Sequence, residues 1–268
     1  MATDRFRAIL HRLAKNHVLA RLVVDEAHCI SEWGHEFRKN YRRLDYFKDT
    51  FPSQPVMALT ASATDQVQQD IMNQLHLSKD CFILKSSFHR PNLNYEVRFK
   101  QVDRNPFSDI LELLQQMYTR REGRLKKDKI DERAQAICGI IYCSTRALCD
   151  DMAIHLQEHQ IHAKAYHGGM SAKARTQVLA DWTSTSAKPN QNTHNIVDIV
   201  CATISFGMGI DRPDVRFVIH YDMPKSLEGY YQESGRAGRD GAVSRCILCV
   251  WLLMRSIKNT PFWLRSKV

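Results

Sequence analysis

The sequence predicts an α/β protein in two parts, each organised around parallel strands. Three observations predict it. Apolar runs of strand length alternate with segments of helical periodicity, most regularly between residues 137 and 251. A proline at Pro91, inside Phe88-His89-Arg90-Pro91-Asn92-Leu93, breaks that pattern and marks a boundary. With 268 residues and 44% apolar content, the chain can bury one large core or two modest ones.

Taken in order, Phe6, Ile9, Leu10, Leu13 and Ala14 recur at helical spacing, which predicts a helix over 5–19 leading into a strand at 20–24. A second short strand, 56–59, ends in Thr60-Ala61-Ser62-Ala63-Thr64 and is followed by a helix over 65–76 with Asp65 near its start. Another apolar run spans Cys81 to Leu84. Beyond the boundary come a helix 107–119, strand 137–143, helix 145–159, strand 162–166, helix 171–182 and strands 196–201 and 215–220. A helix 226–234 and a strand 244–251 complete the order. Strands alternating with helices imply a mostly parallel sheet covered on both faces.

Two segments interrupt the alternation. Residues 119–135 hold seven basic and four acidic side chains, and 183–195 are polar with one proline. Both read as solvated loops. No internal repeat is visible.

The excess of 38 basic over 29 acidic residues gives a net charge of +9, which favours a polyanionic partner. The first 24 residues mix basic and apolar side chains without a long apolar core, and no run approaches bilayer-spanning length. The eight cysteines are scattered and read as buried thiols of a reducing compartment. Cys246 and Cys249 form a C-x-x-C without a second ligand pair nearby, so no zinc site is expected.

Two stretches carry the chemistry. Asp25-Glu26-Ala27-His28 follows the apolar run Leu22-Val23-Val24. A carboxylate there can hold Mg²⁺, directly or through water, while its neighbour orients a water against a terminal phosphate. About two hundred residues on, Gln232 to Gly241 reads QESGRAGRDG, with Arg236 and Arg239 three apart on a predicted helix face, where guanidinium groups can meet a γ-phosphate. After the acidic box, Trp33, His35 and Phe37 alternate with polar groups and lead to Arg38. Aromatic faces of this kind stack on unpaired bases, and an arginine meets phosphate. Thr203, Gly207 and Gly209 put a hydroxyl and flexible backbone after a strand, where they can meet phosphate or the ribose region of a nucleotide.

Cys29 to Tyr41, together with the preceding D-E-A-H, resembles motif II and the aromatic-rich loop of RecQ-family DNA helicases in superfamily 2. Thr60 to Thr64 is similar to motif III, and Phe88 to Leu93 to the segment between the family's lobes. Ile141 to Arg146 resembles motif IV, and Tyr166-His167-Gly168-Gly169-Met170 with Arg175 the element after it. Ala202 to Val215 resembles motif V, and Gln232 to Gly241 motif VI. The resemblance runs in the family's order over nearly the whole chain.

It implies two RecA-like parallel-sheet lobes of the P-loop NTPase type: 1–86 a partial first lobe, 87–251 the second, and 252–268 a tail foreign to the pattern. ATP with Mg²⁺ would lie between the lobes. The residues it implicates in hydrolysis are Asp25, Glu26, His28, Gln232, Arg236 and Arg239. Nucleotide contacts would come from Asp25 (through Mg²⁺), Gly209, Asp211, Arg236 and Arg239, with Asp211 accepting a ribose hydroxyl. DNA contacts would come from Trp33, His35, Phe37, Arg38, Ser144, His167 and Thr203, and Thr60 and Ser62 would couple hydrolysis to motion. The implied activity is ATP-dependent 3′-to-5′ unwinding in DNA repair and recombination, on single strands and duplex junctions. The implied location is the nucleus in a eukaryote and otherwise the cytoplasm.

The chain departs from the family in one respect of chemical weight. None of its eleven glycines is followed by lysine, so no G-x-x-x-x-G-K-[ST] phosphate loop occurs in it. The first lobe is therefore expected to be incomplete and marginal, and the chain alone to bind ATP poorly and unwind little. The other reading is a nucleic-acid-binding helicase remnant without turnover; a third is a split motor completed in trans.

Overall fold

The computed structural model describes residues 3–31, 39–61, 63–100, 105, 107–184, 196–207 and 210–251. The chain divides into two compact units, Met1–Phe88 and His89–Val268.

In the first unit, α1 (Asp4–Lys15) starts at Thr3, whose side chain accepts the Phe6 N–H. It ends four residues before the expected 19, where His17 adopts a left-handed φ of 56°. Strands β1 (Leu22–Val24) and β2 (Val56–Ala58) pair in parallel, Leu22 beside Val56 and Val24 beside Ala58. Between them lie a 3₁₀ turn at Ala27–Ile30, another at Lys39–Leu44 and the short α2 (Asp45–Thr50), all too brief to show a period in sequence. Helix α3 (Asp65–Gln74) is capped by Thr64 and packs Val67, Ile71 and Leu75 against Val24, Ala27 and Ile30. Val23 and Met57 are register partners, and both are about half exposed. Two three-residue strands supply little sheet stability of their own. The run 81–84 is not a strand: Phe82 and Leu84 stand out into solvent, and no strand among the described residues pairs with it.

The second unit is a six-stranded, fully parallel sheet in the order β3-β8-β7-β4-β6-β5. Its strands are β3 (Leu93–Lys100), β4 (Gly139–Tyr142), β5 (Ala163–Tyr166), β6 (Ile199–Ala202), β7 (Phe217–His220) and β8 (Ser244–Trp251). Every residue of β4, β6 and β7 is buried. Alternate side chains serve opposite faces. Ile141, Cys201, Phe217 and Ile219 pack with Ile110 and Leu113 of α4 (Ser108–Asp128) and with Met152 and Leu156 of α5 (Arg146–Glu158). Ile140, Tyr142, Val200 and Val218 pack on the other face with Val178 and Trp182 of α6 (Ala172–Ser184) and with Phe206. Gly139 has no side chain because its register partner's ring lies there: a Cβ would come within 2.0 Å of Phe217.

Two expectations are corrected here, and one strand is added. Residues 119–135 are not a solvated loop, since α4 continues to Asp128. Glu, Lys and Arg are good helix formers, an Glu122–Lys126 ion pair spans one turn, and Leu125 is buried. The segment then docks: Arg121 pairs with Glu132, and Arg133 reaches Asp198 with two hydrogen bonds, at 3.0 and 3.2 Å. The added strand is β3, whose alternating Leu-Asn-Tyr-Glu-Val-Arg-Phe-Lys follows the proline break directly. The second correction is that Arg236 and Arg239 are not on a helix. Helix α7 (Leu227–Ser234) ends before them, and residues 235–240 form successive turns with Gly238 at a left-handed φ of 55°. The polar segment 183–195 lies outside the described residues apart from Thr183 and Ser184, which finish α6, and the tail 252–268 lies outside them entirely.

All eight cysteines are free thiols, seven of them buried. Cys246 and Cys249, three apart on a strand, face opposite sides of the sheet and join different cores. Among the described residues no helix is long and apolar enough to cross a membrane.

Candidate functional site

In the first unit the acidic box sits where β1 and β2 end together. The Ala27 N–H donates to the Leu59 carbonyl and the Leu59 N–H to Val24. The Asp25 carboxylate is exposed, with Oδ1 accepting the Glu26 N–H at 2.9 Å. Glu26 holds a left-handed backbone, φ 48° and ψ 44°, a conformation that costs a non-glycine residue about 1–2 kcal/mol. That bend turns the chain sharply into the Ala27–Ile30 turn and buries His28. The His28 Nδ1 lies 3.0 Å from Thr60 Oγ1 and 3.4 Å from Glu26 Oε2. The acidic box and the threonine after β2 are thus joined through one imidazole. Trp33, His35, Phe37, Arg38 and Ser62 lie outside the described residues. Asp25 fits Mg²⁺: an exposed carboxylate at a strand's C-terminal end suits an ion that keeps most ligands from water and phosphates. Among the described residues no cluster of three or more potential metal ligands exists.

In the second unit, Ser144, His167 and Thr203 follow the C-terminal ends of β4, β5 and β6, which are sheet neighbours. Parallel strands deliver all such ends to one edge, the usual place for ligand contacts. The Ser144 N–H donates to Asp222 Oδ2 at 2.9 Å, leaving the exposed serine its hydroxyl. The Thr203 hydroxyl is 2.8 Å from that of Ser205. His167 is spent internally: its Nδ1 accepts the Gly169 N–H, so Nε2 carries the proton and donates to Asp150 at 3.1 Å. The ring is buried and shapes the Gly168-Gly169 backbone.

The Gln232–Gly241 segment is anchored elsewhere. The Gly238 N–H donates to Val215 and the Asp240 N–H to Pro213, just before β7. Arg236 Nη1 donates to the Gly207 carbonyl at 2.6 Å, an approach that a side chain at 207 would block. Arg239 Nη1 donates to Asp211 Oδ1 at 2.8 Å and to the Ile210 carbonyl at 3.3 Å. Gln232, half-buried, lies on the last turn of α7, and Gly209 lies outside the described residues.

Other residues support these sites. Arg90 donates to the carbonyls of Ala237 and Gly238, and Asn92 to those of Gly238 and Ala242. The R-P-N-L segment therefore fastens the arginine turn. Lys100, almost fully buried, lies 3.5 Å from the centre of the Tyr221 ring and 3.4 Å from Asp222, the residue that holds Ser144. Burial pushes its ammonium pKa down, against the pull of Asp222. Below them, Glu233 accepts from His220 Nε2 at 2.7 Å, His220 stacks on Tyr142, and the Tyr142 hydroxyl donates to the Phe206 carbonyl. Burial raises the Tyr142 phenol well above its ordinary value. Nothing in the spacing of Lys100, Asp222, His220 and Glu233 marks them, since their partners are not their neighbours in sequence.

Residues 111–241 match the model of the helicase conserved C-terminal domain. The chain is 42% identical over 92% of its length to ATP-dependent DNA helicase Q5 of Rattus norvegicus. It is 44% identical, again over 92%, to RecQ-like DNA helicase BLM of Xenopus laevis, and 41% identical over the same share to ATP-dependent helicase SGS1 of Saccharomyces cerevisiae. The chain belongs to the RecQ family of DNA helicases. It spans 24%, 16% and 15% of those three RecQ relatives.

Solved structures show the fold of this RecQ chain. S. cerevisiae Dbp5 bound to RNA and ADP BeF3 matches with a TM-score of 0.60 at 18% identity, over 91% of this chain and 57% of that one. A DEAD box protein from Methanococcus jannaschii matches with a TM-score of 0.51 at 18% identity, over 91% of this chain and 58% of the other. The six-stranded parallel sheet is a RecA-like lobe.

Proposed function

We propose that this chain carries the motif II to motif VI portion of an ATP-dependent, 3′-to-5′ RecQ helicase acting on single-stranded DNA and duplex junctions in repair and recombination. In this reading the first unit is a partial RecA-like lobe. Asp25 holds Mg²⁺, which supplies charge neutralisation on the phosphates, and Glu26 orients the attacking water. Arg236 and Arg239 stabilise charge developing on the γ-phosphate, an effect of about 10³–10⁵ in rate where such arginines act. The His28–Thr60 hydrogen bond is the coupling element. Ser144, Thr203 and the Gly168-Gly169 backbone meet DNA phosphates.

The observation that carries this reading is the fastening of both arginines to the 207–211 loop while Arg90 and Asn92 hold their turn. Solvated helix arginines would have no such framework. The sequence also holds no G-x-x-x-x-G-K-[ST] loop, and we infer that the chain by itself binds ATP weakly and turns over little. That favours, as the second reading, a DNA-binding helicase remnant.

The test is fluorescence anisotropy on single-stranded DNA across a salt series, with ATP hydrolysis measured alongside. Binding should weaken steeply with salt, with a log–log slope of roughly −0.7 per phosphate contact. DNA-stimulated hydrolysis lost in Glu26→Gln would overturn the proposed inactivity and support the motor. Binding without hydrolysis supports the remnant. No binding even at low salt would overturn both.

A further inference from the structure

Strand β3 is the outer strand of the six-stranded sheet, paired with β8 on one side. Its odd-numbered side chains share one face, and Tyr95, Val97 and Phe99 are 49, 51 and 49% exposed. Their register partners on β8, Cys246, Leu248 and Val250, are buried. On this face the side chains are buried on β8 and half-exposed on the edge strand.

Natural sheets blunt such edges with proline, a bulge or lysine. From Leu93 to Phe99 β3 has no proline, glycine or lysine, and its pairing with β8 runs residue by residue without a bulge. What it has are two opposite charges flanking an apolar centre. Glu96 and Arg98 are each about one-third exposed and lie on either side of Val97.

We propose that β3 is a homodimer interface, with two copies of the chain pairing their β3 strands antiparallel about Val97. A two-fold axis at Val97 sets each position against the one equally far on the other side of it. Val97 then meets the partner's Val97, and Tyr95 meets the partner's Phe99. Glu96 meets the partner's Arg98, and Arg98 the partner's Glu96. Directly opposed side chains in such a pair lie roughly 4.5–5.5 Å apart, close enough for both the aromatic and the charged pairs.

The register is selective. A two-fold at Glu96 would oppose two carboxylates, and one at Arg98 two guanidinium groups. A two-fold between residues would set Val97 against a charge. Of the axes at residues 96, 97 and 98, only the one at Val97 sets opposite charges against each other at both contacts, and an isologous contact of this kind closes at two copies. Within its own chain Glu96 already accepts from Arg98 (2.6 Å) and Arg245 (2.5 Å), so its carboxylate is held in place. This inference is independent of any nucleotide chemistry.

The experiment is sedimentation velocity on the full chain over a concentration series, with circular dichroism as a check on folding. The wild type should pass from monomer to dimer as concentration rises. Val97→Lys, at a half-exposed site, should stay monomeric with an unchanged spectrum. Glu96→Arg alone and Arg98→Glu alone place like charges opposite each other twice per dimer, and each should weaken association at least about tenfold. Mixed together, those two variants restore opposite charges at both contacts and should form a heterodimer. If Glu96→Arg loses its fold through Arg245, Val97→Lys decides alone. A wild type that is monomeric at every concentration overturns the proposal. So does a dimer untouched by Val97→Lys, or two folded charge variants that fail to associate on mixing.

Discussion

Replacing Arg133 by Met tests whether the charge-rich segment after α4 is part of the second unit's framework. Asp198 is 1% exposed, and the Arg133 side chain that reaches it with two hydrogen bonds is 12% exposed. Removing the guanidinium strands a carboxylate at the head of β6 in a dry site. Breaking a buried pair from one side costs about 3–5 kcal/mol, a large share of a total stability of about 5–15 kcal/mol. With a urea dependence of about 2 kcal/mol/M, the midpoint of the second unit's transition should fall by roughly 1.5–2.5 M.

The pH dependence gives the prediction a second handle. Burial raises the Asp198 pKa above the ordinary carboxylate range, with Arg133 pulling it down. A carboxyl whose folded pKa is raised adds stability that is full below its unfolded pKa and is lost as pH rises through the folded value. Arg133→Met removes the opposing pull, so the folded value rises further. The variant's deficit should therefore be largest at neutral pH and shrink below the ordinary carboxylate range, where Asp198 is protonated in both states. Adding Asp198→Asn should recover much of the loss. Urea titrations at neutral and acid pH, read by far-ultraviolet circular dichroism, decide it. A shift worth less than about 1 kcal/mol at neutral pH, or one that does not diminish in acid, refutes the reasoning.

Three further outcomes are expected. The Tyr118 hydroxyl is buried without a hydrogen-bond partner among the described residues, so Tyr118→Phe should leave thermal stability unchanged or raise it by up to about 1 kcal/mol; a loss of that size would show that the hydroxyl is satisfied. Gly238→Ala meets both a left-handed φ and contacts of 2.5–2.8 Å with Asn92, Ala242 and Ser244, whereas Gly241→Ala meets only its own φ of 81° in open space. The first should cost well beyond the ~1–2 kcal/mol left-handed penalty in a denaturant titration and the second about that penalty, and equal costs would show that the Asn92 fastening is soft. Hydrogen bonds from Arg212 to Asp214 and from Arg216 to Asp240 hold both carboxyls below their ordinary values. Their stabilisation is present above the unfolded pKa and lost as pH falls through the folded values, so Asp214→Asn with Asp240→Asn should flatten the acid side of the thermal stability curve.

What could be read from the sequence was set by the length of the pattern. Strands β4, β6, β7 and β8 are apolar runs, and the expected bounds of β4 to β8 lie within three residues of the observed ones. The 3₁₀ turns and α2 span four to six residues, less than two helical turns, so no periodicity can distinguish them. The segment 119–135 looked solvated because charge dominates it. Charge composition does not distinguish a wet loop from a helix laced with ion pairs, and the docking contact of Arg133 is with a strand 65 residues away. The arginines of the 232–241 segment were placed on a helix by their spacing of three. Gly235 is the residue after Ser234 that caps the helix, and a glycine directly after a helical run is a stop signal stronger than a spacing of three.

The same parallel topology explains why the second unit's candidates fall into two groups. Loops after β4, β5 and β6 emerge at the C-terminal edge, and these carry Ser144, His167 and Thr203. The arginine turn instead follows a helix that has run back along the sheet, and it is anchored on Pro213 and Val215 at the entry to β7. The loop from Thr203 to Val215 touches both groups, because it leaves the C-terminal edge at β6 and reaches the opposite end of β7. Arg236 grips it at Gly207 and Arg239 at Ile210 and Asp211. The arginine turn is thereby tied to the same loop that begins at Thr203.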